Sequence, residues 1–263
     1  MSTSATGDSP EFDPASVPVK DAATLLLVRD SREGPEVFAI RRARSMVFAS
    51  GMIAFPGGGV DPTDCEAFPT TGPSAEQWSA RLGVAPERAL SLCSAAIREC
   101  FEETGLLLAS PQCSIASDGA LPDSPWPGRR TRVAAHETSL AALLSEAGIA
   151  ADTALLHPLG RWVTPVGPPR RYDTFFFGVE IAQDGPHQPD GDNGEFEGAR
   201  WARPAALLEA FRNEEIALLP PTVHHLSLLA EASSAADFLE VDRDMTPVRI
   251  DKPATFSRKL NQS

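Results

Sequence analysis

The residues best suited to chemistry crowd one short run, Arg98-Glu99-Cys100-Phe101-Glu102-Glu103-Thr104-Gly105-Leu106. On a helix Glu99, Glu102 and Glu103 stand at i, i+3 and i+4, so three carboxylates share one face and repel each other. Gly105 marks the helix end, which sets the same carboxylates against the negative end of the helix dipole. Both placements call for a compensating positive charge. A hard divalent cation, Mg²⁺ or Mn²⁺, suits an all-oxygen cluster better than zinc does. Standing alone, such a run is more often a solvated acidic face, so the elements around it decide.

A helix over about residues 87–104 must carry the cluster. Projected on a helical wheel, Leu90, Cys93, Ile97 and Phe101 fall opposite the carboxylates and Ala95 and Ala96 fall near them. Large residues then pack the back of the helix, and small ones leave room in front for metal and ligand. Upstream, residues 22–29 and 37–42 read as strands joined by a turn, and a short strand at 52–55 runs into Pro56-Gly57-Gly58-Gly59. Residues 65–86, polar and without a strong period around Trp78, predict an irregular insertion. Residues 110–130, with Pro111, Pro122, Pro125 and Pro127, predict another irregular stretch, followed by one helix over about 132–146, read as an ordinary packed helix with a lid as the alternative. Strands follow near 159–164, 174–181 and 199–201, with a loop at 183–194; helices follow at 204–213, 222–232 and 235–239.

The chain has 263 residues, 42% of them hydrophobic, enough for one elaborated domain over 20–240. Residues 1–19 read as a disordered leader and 241–263 as a tail. A formal charge of −13 argues against nucleic acid and against an anionic membrane surface. A polyanionic substrate therefore needs local arginines and metal. No apolar run approaches the roughly 18 residues of a spanning helix, and residues 1–19 lack the pattern of a signal peptide, so a cytoplasmic protein is the default. Cys65, Cys93, Cys100 and Cys113 lack C-x-x-C spacing and read as buried free thiols. His136, His157, His187, His224 and His225 form no metal-binding pattern and read as core, capping or surface residues.

The run 98–106 resembles the second half of the signature of the Nudix hydrolase family, G-x5-E-x7-R-E-U-x-E-E-x-G-U with U apolar, Cys100 taking an apolar slot. Phe55-Pro56-Gly57-Gly58 resembles the start of that signature, and Asp64 stands where the family has glutamate. Residues 65–97 make 33 between Asp64 and Arg98, far more than the signature allows. A loop-to-helix junction tolerates such an insertion at modest closure cost. The insertion, together with Trp162-Val163-Thr164-Pro165, the segment 170–177 and the segment 215–222, resembles the peroxisomal coenzyme A diphosphatase branch of the family and its bacterial relatives, over about residues 22–229.

That resemblance implies an α/β Nudix fold, a mixed β-sheet sandwiched between α-helices with an insertion within the Nudix box. It also implies metal-dependent hydrolysis of the diphosphate of a small-molecule nucleoside diphosphate derivative. Glu99, Glu102, Glu103 and the backbone carbonyl of Gly57 would ligate Mg²⁺ or Mn²⁺; Arg98 would orient a ligating glutamate, and Asp64 would pair with such an arginine. Glu195, with Glu197 as runner-up, would bind a metal or act as general base, the alternative being a solvated loop acid. The run 38–58 partly resembles the coenzyme A motif L-L-T-x-R-[SA]-x3-R-x3-G-x3-F-P-G-G: Arg42, Ala43, Gly51 and 55–58 match, whereas Ile40 and Val47 do not. Arg42 and Arg44, and likewise Arg171, would clamp phosphates, or else are solvated surface. Coenzyme A or acyl-coenzyme A is the leading substrate; ADP-ribose, dinucleotides and nucleoside diphosphate sugars stay open. So does a noncatalytic Nudix-fold sensor, although a sensor would be expected to lose carboxylates that this helix keeps. A homodimer remains open as the assembly, with no nucleic-acid or membrane partner expected.

Overall fold

The chain is built outward from β1 (Val19–Ser31), whose residues Leu25, Leu26, Leu27 and Val28 are all buried. A strand apolar on both faces belongs in the middle of a sheet covered on both sides. The computed structural model describes residues 13–42, 51–67, 69–110, 114–117, 128–185, 188–191 and 196–249. After β1 come β2 (Gly34–Arg42), β3 (Ile53–Ala54), β4 (Gly57–Gly59), β5 (Thr70–Thr71), α1 (Ala75–Leu82) and α2 (Pro86–Thr104). Next are β6 (Leu106–Ser110), β7 (Ser114–Ser117), α3 (Arg129–Ala134), α4 (Leu140–Ala147), β8 (Ala150–Asp152), β9 (His157–Val163) and β10 (Arg171–Glu180). The chain continues through β11 (Phe196–Ala202), α5 (Pro204–Arg212), α6 (Pro220–Glu231), α7 (Ala235–Leu239) and β12 (Val248–Arg249).

The main sheet runs β11-β2-β1-β10-β9-β12, with β3 on β2 and β4 on β1; a smaller sheet runs β5-β8-β6-β7. β1 pairs parallel with β10 and antiparallel with β2 and β4, so the sheet is mixed. Period-two alternation divides its side chains between two cores. Ala23, Leu25, Leu27, Phe38, Ile40, Phe175 and Phe177 join the core under α2, together with Trp78, Ile97 and Phe101. Leu26, Val28, Val37, Ala39 and Phe176 join the other, with Leu207, Leu226, Leu229 and Phe238 of α5, α6 and α7. The result is the expected mixed sheet sandwiched between helices.

The structure corrects several local expectations. The segment read as an irregular insertion contains α1, closed at its start by a capping box between Ser74 and Gln77. Trp78 and Leu82, one turn apart, are fully buried, and Trp78 Nε1 donates to Thr153 Oγ1 at 3.1 Å. A helix of barely two turns with two large apolar residues gives too weak a period to read. Ala95 and Ala96 of α2 are fully buried in the α2-side core, so they serve packing rather than open space. The single helix expected over 132–146 is two, α3 and α4, broken around His136 at φ 54°. Within the span read as a leader, a 3₁₀ turn at Pro14–Ser16 is capped by Asp13. The tail expected from 241 contributes buried Met245 and β12, parallel to β9. Cys93 and Cys100 are buried free thiols, whereas Cys65 is exposed; Cys113 and His187 lie outside the described residues.

Candidate active site

The glycine turn reaches α2 because β4 lies across β1, with Gly57 opposite Thr24, Gly58 opposite Ala23 and Gly59 opposite Ala22. A Cβ at Gly57 would stand 2.5 Å from the Ala23 carbonyl oxygen, so the close strand crossing demands glycine there. A Cβ at Gly58 would collide with the Glu99 carboxylate. Gly57 is thus required by the backbone of β1, whereas the space left by Gly58 is filled by the end of the Glu99 side chain. Gly57 also donates its N–H to Glu103 Oε2 at 2.9 Å, tying the turn to the helix.

Arg98 gathers the remaining acids. Its Nε donates to Asp64 Oδ1 and its Nη2 to Asp64 Oδ2, both at 2.9 Å, the planar two-pronged contact that a guanidinium makes with a carboxylate. Nη2 also donates to the Gly59 carbonyl at 2.9 Å, and Nη1 donates to Glu99 Oε1 at 2.9 Å and Glu102 Oε1 at 3.1 Å. Asp64 belongs to a 3₁₀ turn, Pro62–Cys65, whose capping box joins it to Asp61. That turn brings a short aspartate within reach of Arg98, at the position where the signature this run resembles has a longer glutamate. Asp64, Arg98, Glu99 and Glu103 are all buried.

One guanidinium faces more carboxylates than it can neutralise. Burial pushes the Glu99 carboxyl up to about 7, opposed by Arg98 and reinforced by the charge of Glu102. Burial also raises Glu102, again opposed by Arg98. For Arg98 burial acts against the charge, but Asp64, Glu99 and Glu102 outweigh it and hold the guanidinium protonated. The all-oxygen donors and their excess negative charge suit a hard divalent cation. They are not drawn into a cage: among the described residues no three acid, histidine or cysteine side chains already converge on one point. Glu99 and Glu102 turn one oxygen each to Arg98, while Glu103 turns to Gly57. The donor chemistry therefore fits a metal, and ligation needs these side chains to turn from the partners they hold here.

The structure brings together Gly57, Arg98, Glu99, Glu102 and Glu103, and adds Asp64. Arg42 ends β2, and its Nε is buried without a hydrogen-bond partner among the described residues. Arg171 is no free clamp: its Nε donates to the Thr164 carbonyl at 3.2 Å and its Nη1 to the Val17 carbonyl at 3.3 Å, which fastens strand ends. Arg44 and Glu195 lie outside the described residues, and Glu197 is an exposed residue of β11. A cavity of about 300 Å³ adjoins Arg98, lined by Thr63, Glu66, Val133, His136 and Ser139 among others.

Sequence reasoning missed Arg130, whose Nε donates to the Glu102 carbonyl at 2.8 Å. It sits in a stretch read as irregular, and its one visible signal is a basic pair, Arg129-Arg130, following Gly128. It also missed Arg88 and Arg161, which share Asp173; Arg88 further holds Asp21, the register partner of Asp173 on β1. That network braces the strand ends beneath the start of α2.

Comparison with known proteins extends this geometry. A family model described as the NUDT19 Nudix domain matches residues 74–229. Acyl-coenzyme A diphosphatase NUDT19 of Homo sapiens is 32% identical over 190 residues, covering 69% of this chain and 50% of the relative. The Gallus gallus protein of the same name is 32% identical over 172 residues, covering 60% of this chain and 45% of the relative. The chain spans about half the length of these curated relatives. The crystal structure of a NUDIX hydrolase from Alicyclobacillus acidocaldarius matches with a TM-score of 0.70 and 29% identity, covering 86% of this chain and 97% of that one.

Proposed function

The chain belongs to the NUDT19 Nudix domain family, and on that premise we propose that it is a divalent-metal-dependent diphosphatase that hydrolyses coenzyme A or acyl-coenzyme A. The products are adenosine 3′,5′-bisphosphate and phosphopantetheine or its acyl derivative. The observation that carries this reading is the buried cluster in which Arg98 joins Asp64, Glu99 and Glu102 while Gly57 holds Glu103. A noncatalytic relative has no need to keep so costly a concentration of charge. The relatives named acyl-coenzyme A diphosphatase supply the substrate class.

Nudix hydrolases generally use divalent metal ions, and Mg²⁺ or Mn²⁺ is the choice that matches this donor set. Glu99, Glu102, Glu103 and the Gly57 carbonyl are the groups that would hold it. Such an ion supplies charge stabilisation on the diphosphate oxygens when water attacks phosphorus in line. The chain's own residues do the rest. Asp64 fixes the Arg98 guanidinium, and Arg98 fixes one oxygen each of Glu99 and Glu102, leaving the other for ligation. The proton of the attacking water passes to a carboxylate, for which Glu195 is the candidate and Glu197 the runner-up. Arg42, whose buried Nε has no hydrogen-bond partner among the described residues, is the candidate to take a phosphate.

The working assembly and place of the protein are part of the same proposal. A small-molecule substrate, a net charge of −13 and the free thiols of Cys65, Cys93 and Cys100 favour the cytoplasm, and a homodimer is the simplest oligomer to test by light scattering. Among the described residues no helix is long and apolar enough to cross a membrane. Incubation of pure protein with coenzyme A or an acyl-coenzyme A and Mg²⁺ or Mn²⁺, followed by phosphorus NMR, should show the diphosphate signals replaced by two new phosphomonoester signals, one on each product. Intact substrate at high enzyme concentration with either metal removes this substrate class.

A further inference from the structure

We propose that Arg130 is a positioning residue, locking the carboxylate turn of α2 to the loop that follows β10. Its catalytic consequence rests on the diphosphatase reading above; its geometry does not. The last carbonyls of an α-helix have no partner within the helix and must find one elsewhere. In α2 the Phe101 carbonyl accepts from Gly105 N–H at 2.9 Å, a local C-cap. The Glu102 carbonyl instead accepts from Arg130 Nε at 2.8 Å, and the Thr104 carbonyl accepts from Asp190 N–H at 2.8 Å. Arg130 Nη2 donates to the Asp190 carbonyl at 3.1 Å, which closes a ring from helix to arginine to loop and back to helix.

Three features make this more than a surface contact. The carbonyl held by Arg130 belongs to the peptide unit that joins Glu102 to Glu103, so its orientation sets where two adjacent acids point. The guanidinium sits at the negative end of the helix dipole, where the last turn carries no basic residue of its own. Its side chain is only 13% exposed and passes beside Gly105, where an added Cβ would stand 3.4 Å from Arg130 Nη1. A guanidinium can serve two acceptors in fixed directions at once, and a lysine ammonium cannot keep that geometry.

The test compares Arg130→Ala, Arg130→Lys and a control, Arg132→Ala, which removes an exposed arginine from the same helix. Mn²⁺ binding is read by electron paramagnetic resonance, turnover of coenzyme A by kcat and KM, and order of the α2 end by amide hydrogen exchange over residues 100–106. In Arg130→Ala, Mn²⁺ affinity and kcat should each fall about tenfold, the scale usual when a group supporting metal ligands is lost. KM should hold, and exchange at the helix end should accelerate. Arg130→Lys should lie between, and the control should match wild type. An Arg130→Ala protein with wild-type exchange, Mn²⁺ affinity and kcat overturns the proposal. Should Arg130→Ala fail to fold, the same readouts on Arg130→Lys decide, wild-type values again overturning it. A wild-type protein that neither binds Mn²⁺ nor cleaves coenzyme A would sink the diphosphatase reading, and hydrogen exchange alone would then decide whether the lock exists.

Discussion

The two faces of the main sheet each bury a titratable group, and they treat it in opposite ways. Under α2, Arg98 and Asp64 are almost wholly buried and paired, with each guanidinium nitrogen occupied by an acceptor. Across the sheet, His225 of α6 is fully buried, and neither ring nitrogen has a hydrogen-bond partner among the described residues. It lies against Phe176, with ring centroids 4.6 Å apart, and beside His224 at 5.2 Å. Burial, aided by the nearby charges of His224 and Arg243, pushes the His225 imidazole down to about 3. In this pair of groups the charge is hidden where a complete set of partners surrounds it, and the group without partners is kept neutral. The costly solution stands on the face where ions would meet a substrate.

Breaking the paired side should have the largest effect. Arg98→Met leaves Asp64 and Glu99 buried without their cation, and stability should fall by about 3–5 kcal/mol with loss of turnover. Urea unfolding measures the first; a variant as stable as wild type would mean that the acids are not held as described. Glu102→Gln or Glu103→Gln should cut turnover roughly a hundredfold or more while the fold is kept, because each removes a proposed ligand and not core packing. Full activity in both variants would exclude this site. Circular dichroism and the urea midpoint serve as the check that folding survives.

The neutral side gives a smaller, pH-dependent effect. His225 has a folded pKa near 3 and an ordinary value of 6.5 when unfolded, so between those values the unfolded chain binds the extra proton. Its contribution is fully present above pH 6.5 and is lost as pH falls towards 3. Between pH 6.5 and pH 5 this amounts to about 2 kcal/mol. His225→Leu should lose about 2 kcal/mol less than wild type over that interval, in paired denaturation curves at the two pH values. Identical losses in the two proteins would show that His225 is not held neutral.

Much of the scaffold was legible in the sequence. β1, β2, β9 and β10, the helix α2 and the three C-terminal helices carry strong periods or long apolar runs, and those are local signals. The short helix α1 escaped because two turns hold too few apolar residues, and α3 and α4 merged because His136 takes a left-handed conformation that usually marks glycine. Of the site, the acids and the glycine turn were readable, since charge repulsion at helical spacing is a property of neighbouring residues. The engagement of Arg171 with backbone carbonyls was not, because the sequence does not reveal what a long side chain will meet.

By itself the sequence determined the reactive types and their local order: three glutamates on one helical turn, an arginine beside them and a glycine turn upstream. Tertiary structure alone decided which partner each would have. Arg98 meets Asp64 across 34 residues, Glu103 meets Gly57 across 46, and Glu102 meets Arg130 across 28. Hydrogen bonds act over about 3 Å, so such pairings exist only once the sheet and helices have brought distant segments together. That is why the acids and Arg98 could be found in the text, and Arg130 only in the fold.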